Sequence, residues 1–326
     1  FTTALTGTKV TSFDASGLAG ALTLTAGSEK ATYSMGGKSS SIAFGTTNLN
    51  ASDTVIGGAG AGDTITATVS GLTATTGALN ISGVELVNLT TSGANTIDLS
   101  GTTGLANFAV TDAKQTIKGV DLATTSVGLG LAADAAATSS EIDVTAADAT
   151  GTDDTLRVAV NTTAGATDSI IDASNIENLA LTIGRQTAGT NNTVTLDLTT
   201  FTGTGITVGT AGLAPGVVPT ANAVALGTLY KDTTSLVSTN KAAVTASMTN
   251  ATTATTFEGA GTGIQNITGG LRGDTFTIGS TGAIAHVIVG GFGTDTTNLT
   301  AATGLVDVST INTENVNIAV PASVDV

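Results

Sequence analysis

The chain has 326 residues, 11% of them charged, and a formal net charge of −15. It contains no Cys, which removes disulfides, thiolate metal sites and Cys nucleophiles, and its single His, His286, removes multi-His metal sites. The acidic excess works against binding a phosphate backbone, and no apolar run approaches the ~20 residues that span a bilayer.

The remaining composition points to a folded all-β protein. Mean hydropathy is +0.33 and 40% of residues are hydrophobic, whereas disordered chains pair low hydrophobicity with high charge. β-branched Val, Ile and Thr favour strands, and the 42 Gly with Asn, Asp and Ser favour tight turns. No basic-then-apolar signal peptide opens the sequence at Phe1. The expectation is a processed chain, a chain secreted by another route, or a piece of something longer.

In chain order, Phe13-Asp14-Ala15-Ser16-Gly17-Leu18 is the first of a family of related segments, repeated at Ile97-Asp98-Leu99-Ser100-Gly101 and Ile171-Asp172-Ala173-Ser174-Asn175-Ile176. Ala21 to Thr25 and Thr64 to Val69 alternate apolar and Thr residues, the period of a half-buried strand. Gly83-Val84-Glu85-Leu86-Val87-Asn88-Leu89 begins a second pattern, a Glu before an alternating strand. It recurs around Glu177 and Glu314, and in degenerate form at Gly263 to Ile267. Glu is rare here, so three in one local pattern call for a physical role: capping turn N–H groups or ligating a cation.

Leu131 to Ala137 and Ser235 to Met248 are the best helical candidates, with a loop-bound turn or another strand as the alternative. Between them, Asn192 to Leu198 alternates as a strand. The segment 212–223 holds Pro215 and Pro219 and reads as a loop or linker between β-rich segments 1–211 and 224–326, which also fit one continuous body. The irregular spacing of the repeats points to β-rungs with variable insertions. The expected fold is an elongated parallel β-solenoid or β-roll-like body, with tandem β-sandwich domains as the alternative.

Gly290-Gly291-Phe292-Gly293-Thr294-Asp295-Thr296-Thr297 fits the nonapeptide of calcium-binding β-rolls, except that Thr297 stands at the large aliphatic position. Glycines at Gly291 and Gly293 allow carbonyls to turn inward, and Asp295 supplies a hard oxygen of the kind Ca²⁺ takes. Two relatives carry Gly58, Gly60 and Asp63, with one extra residue before the Asp, and Gly270 and Asp274, with Arg272 in the turn. These residues are the candidate Ca²⁺ ligands and turn glycines; a turn that keeps its shape without the ion is the alternative. Asp153-Asp154, with Asp148 and Asp168, reads as a solvated acidic loop or a further cation site.

The stretches Thr8 to Gly17, Thr54 to Ile65 and Val84 to Gly93 resemble the RTX-type surface-layer (S-layer) proteins of Gram-negative bacteria, the Caulobacter surface-layer protein family. That resemblance implies an extracellular structural protein exported by type I secretion without a cleaved N-terminal signal. It also implies self-assembly into a calcium-stabilised lattice and attachment to cell-surface lipopolysaccharide through a region outside this chain. Few intact nonapeptides are present, so the resemblance does not fix the number of ions.

Catalysis finds little support. His286 sits among aliphatics in Ile284 to Val289, and no Gly-x-Ser-x-Gly elbow or phosphate-binding loop is present. The three Arg are scattered and Trp is absent, which weighs against a polysaccharide lyase acting through Arg272 and Asp274. Asn-x-Ser/Thr triplets are expected by chance in a chain with 68 Thr. A self-assembling structural protein is the expectation, with an extracellular adhesin or filament subunit as the alternative.

Overall fold

The computed structural model describes residues 1–5, 9–46, 48–70, 77–110, 115–131, 141–162, 169–185, 193–210, 223–240, 242–260, 263–280, 285–301 and 307–319. They form thirty strands and no helix. No helix there is long and apolar enough to cross a membrane. The strands pair in parallel between successive turns of the chain, as at Thr64–Ser70 against Leu86–Ser92 and Thr155–Thr162 against Asn178–Arg185. This is a parallel β-solenoid; sandwich domains would need antiparallel ladders.

The described residues through Ala149 form one compact unit and those from Thr150 form another. In the first unit, Thr2–Ala4, Thr23–Thr25, Ser41–Phe44, Thr64–Ser70, Leu86–Ser92, Asn107–Val110 and Ser126–Leu131 stack in one long sheet. A second sheet stacks Ser12–Asp14, Thr32–Ser34, Thr54–Ile56, Asn80–Ser82 and Thr102–Thr103, and a third stacks Asn95–Asp98, Gln115–Val120 and Glu141–Ala146. In the second unit, strands from Thr155–Thr162 to Asn315–Ala319 form the long sheet, and those from Ser169–Ala173 to Asp307–Ile311 form the sheet opposite.

Alternation explains the core. In-register pairing carries one inward residue from rung to rung: Leu24, Ile42, Ile65, Val87, Phe108 and Val127 form one column in the first unit. Each is at most 1% exposed. The second unit carries Leu156, Leu179, Ile206, Leu236, Phe257 and Phe276 in the same way. Outward positions are small and mostly uncharged, as in the row Thr256, Thr275, Thr296, Asn315.

Two sequence expectations change. Ser235 to Met248 is not helical: Ser235–Ser238 belongs to the long sheet and Val244–Ser247 to the opposite one. Leu236, Val244, Ala246 and Met248 are all buried, because two short strands meeting at a corner both point inward. Their spacing imitates helical periodicity. The other helical candidate lies outside the described residues except Leu131, which ends a strand.

The linker at 212–223 also lies outside the described residues except Ala223, which begins a strand. Strands on either side of it pair directly, Gly205–Thr210 with Ser235–Ser238 and Thr193–Asp197 with Ala223–Thr228. Strands on either side of 212–223 therefore share sheets.

Candidate functional site at the glycine and aspartate corner

Asp63, Asp274 and Asp295 occupy one structural position: the residue immediately before a strand of the long sheet. Glu85, Glu177 and Glu314 lie at or next to it. Backbone bonds establish the equivalence, since Leu86 N donates to Asp63 O, Thr296 N to Asp274 O and Asn315 N to Asp295 O. The two patterns that look separate in sequence are therefore one corner, met on successive rungs.

The carboxylates at this corner point along the stack. Each accepts the backbone N–H of the equivalent residue one rung earlier: Ser40 N to Asp63 Oδ1 at 2.7 Å, and Asp63 N to Glu85 Oε2 at 2.7 Å. The second unit repeats this with Asp154 N to Glu177 Oε2 at 2.9 Å, then Thr255 N to Asp274 Oδ1, Asp274 N to Asp295 Oδ1 and Asp295 N to Glu314 Oε2, all at 2.7 Å. The Glu residues do cap turn N–H groups, and they do so across rungs. A charged acceptor gives about 1.5–3 kcal/mol per bond, more than a neutral pair.

The second carboxylate oxygen turns back into its own loop. Asp274 Oδ2 accepts Gly270 N at 2.6 Å, and Asp63 Oδ2 accepts Gly58 N at 2.9 Å, one residue further back because that turn has an extra residue. Thr255 Oγ1 adds a second donor to Asp274 Oδ1 at 2.8 Å. Asp63 and Asp274 are 0% and 1% exposed. Every oxygen on both therefore meets an N–H or O–H donor.

The glycines have two different uses. A Cβ on Gly58 would lie 1.5 Å from Gly36 O and one on Gly60 2.4 Å from the Lys38 carbonyl carbon, so their bare backbone lets rungs pass closely. Gly270 sits against Ala251 and Met248 in the same manner. Gly291 and Gly293 combine equally close passage with φ of +105° and +123°, a region open chiefly to glycine. At Asp295 the loop differs accordingly. Oδ1 is bonded, but Oδ2 is buried with no partner. Burial pushes the Asp295 carboxyl above its ordinary range, with Asp274 and Glu314 nearby adding to it and the Asp274 N–H opposing it. One free oxygen is a fragment of a cation site. Among the described residues, no three His, Asp or Glu side chains converge to hold a metal.

Thr297 departs from the roll pattern with consequences inside the core. It stands in the column above Phe276, 0% exposed, and its hydroxyl has no partner. His286 is likewise structural. It is 1% exposed, and its Nδ1 accepts Gln265 N at 3.1 Å from the preceding rung. Burial lowers its basicity, with Asp307 opposing.

Other acids lie outside the corner. Asp14 accepts Ser16 N, Asp98 accepts Ser100 N and Asp197 accepts Thr199 N, each at 2.9 Å. The recurring Asp-x-Ser/Thr pattern thus ends strands with side-chain turns. The Ser16 donors hold Asp14 below the ordinary carboxylate range. Asp153 accepts Asn178 Nδ2, and Asp154 accepts Gly151 N. Asp148 is exposed and Asp168 lies outside the described residues.

Sequence reasoning missed Asp53, 2% exposed, which accepts Ala31 N and Asn50 N at 3.1 Å and is pushed up by burial. Its sequence signal is an Asp directly before an alternating strand, the same place Asp63 holds at the other corner. No family model, curated protein or solved structure matches the chain.

Proposed function

We propose that this chain is a structural surface-layer protein that self-assembles into a lattice on a bacterial cell surface. The observation that carries this reading is how its chemistry is distributed. The buried polar groups of the corner are consumed in joining rung to rung, and the outer faces are rows of Thr, Ser and Asn broken by few charges. Such faces suit repeated weak contacts between like surfaces. The resemblance of Thr8 to Gly17, Thr54 to Ile65 and Val84 to Gly93 to RTX-type surface-layer proteins supports the same reading. It brings with it export by type I secretion, an extracellular location and attachment to lipopolysaccharide through a region outside these residues.

Calcium enters this proposal as cohesion between copies. A chain of charge −15 repels itself. Exposed carboxylates such as Asp14, Asp121 and Asp153 keep lone pairs directed to solvent, where a divalent ion can join two chains. Asp295 Oδ2 is the one carboxylate oxygen of the three Gly-Asp turns without a hydrogen-bond partner, and it is buried. No catalytic step is proposed.

Pelleting the protein with calcium and with excess chelator tests the reading. Assemblies that form with calcium and dissolve with chelator are expected, with calcium in the pellet by elemental analysis. Assembly unchanged in chelator, with no bound calcium, removes the ion from the account. A chain that stays monomeric and binds a host glycan supports the adhesin reading instead.

A further inference from the structure

The turns that lead into the last rungs of the second unit carry the corner carboxylates inward, and their tips face solvent. Phe292 is 73% exposed and Leu271 47%, in a chain that buries Phe108, Phe201, Phe257 and Phe276 completely. Backbone bonds place the tips on successive rungs: Leu271 N donates to Ala251 O, and Phe292 N to Gly270 O. Adjacent rungs are about 4.8 Å apart, so Leu271 and Phe292 share one small patch.

The patch is also where cations gather. Arg272 is exposed and its Nε donates to Thr252 O at 3.3 Å, while Thr252 N donates to Lys231 O. Arg272 forms no ion pair among the described residues, whereas Lys231 is ion-paired with Asp232 at 2.5 Å and lies 5.0 Å from the Tyr230 ring centre. A groove of about 390 Å³ lined by Tyr230, Lys231, Asn250 and Thr252 runs alongside. Aromatic residues and Arg are the types enriched where protein surfaces meet. Folding makes no use of an exposed Phe between two glycines.

We infer that this tip, built from Leu271, Arg272 and Phe292 with Lys231, is the contact by which one copy of the chain docks on the acidic turns of a second copy. The occupant follows from charge. With 25 acids against 10 bases, any second copy presents unneutralised carboxylates, including the exposed turns at Asp14, Asp121 and Asp153. A contact between this tip and those turns joins two different surfaces, head to tail. Such a contact closes into a ring or propagates into an open array according to the rotation between copies. This inference rests on the self-assembly proposed above and names the surface that performs it.

Assembly of the whole chain by sedimentation velocity, in calcium and at low salt, separates the two. Phe292→Ser and Arg272→Glu are expected to raise the concentration needed for assembly about tenfold each, the effect of losing one moderate contact. Arg272→Lys restores most of it, and Ile264→Ser, a substitution at another exposed apolar position, leaves it unchanged. Circular dichroism checks that each variant keeps its β fold; Leu271→Ser replaces any that does not. Variants that assemble at the wild-type concentration overturn this surface and leave self-assembly standing. A wild-type chain that never associates overturns both. A wild-type chain that stays monomeric and binds alginate through Arg272 assigns the tip to an anionic glycan and overturns the second copy as occupant.

Discussion

Asp274 and Asp295 hold equivalent positions on neighbouring rungs, yet their substitution is expected to have opposite effects. Asp274 accepts three hydrogen bonds, so Asp274→Asn loses an acceptor, faces an N–H with an N–H, and costs about 2 kcal/mol. Asp295 has one bonded oxygen and one buried and bare, so Asp295→Asn is neutral or stabilising at pH 7. Its pKa is raised in the fold, so the folded chain holds its proton to higher pH than the unfolded one. This group's contribution therefore falls as pH rises from the ordinary carboxylate range through the raised value. Urea denaturation from pH 4 to 8 should show that slope flatten in Asp295→Asn. His286 has the opposite sense of proton linkage: its lowered basicity makes folding favourable above the ordinary value of about 6.5, and that stability is lost as pH falls below it. His286→Gln, which keeps an acceptor for Gln265 N and matches the Gln on the rung below, should remove this acid sensitivity. A variant with the same acid sensitivity would show that His286 is not its source.

At the scale of the element, strands are held in register by a corner and not by their faces alone. Gly58→Ala places a methyl group on the Gly36 carbonyl and should cost about 3 kcal/mol, whereas Gly17→Ala, with nothing within 4 Å, should shift stability by less than about 0.5 kcal/mol. Equal midpoints for the two in thermal melts would contradict the rung packing described for this turn. Much of this level is legible in the sequence. Alternation from Thr64 to Val69 reports a strand directly, because side chains on a pleat alternate strictly. The Gly-Gly turns and the strand-entry Glu are also visible as patterns. What sequence alone does not reveal is that Asp63 and Glu85 occupy the same corner, since equivalence depends on which strands pair across 22 residues. Nor does it show that the Asp oxygens face N–H donors. A Gly-Asp turn reads the same whether it holds an ion or caps a neighbour. The false helix at Ser235 to Met248 has a related cause: four-residue strands are too short to display their period before the chain turns.

For the whole molecule, the absence of Cys and the abundance of Thr and Gly acquire one explanation. A parallel β-solenoid joined by hydrogen bonds from rung to rung needs no cross-links, and its corners require glycine for close passage. Its acids cap N–H groups in both settings, buried at Asp63 and Asp274 and exposed at Asp14 and Glu314. In the proposed account calcium acts between copies, through exposed carboxylates. Titrating calcium should therefore change association strongly while moving the unfolding midpoint of the dilute monomer little. The most direct measurement is electron microscopy of the purified chain at rising concentration, with calcium and with excess chelator. The account predicts ordered planar arrays with calcium that disperse into single particles when it is removed. Single particles at every concentration in calcium would contradict it.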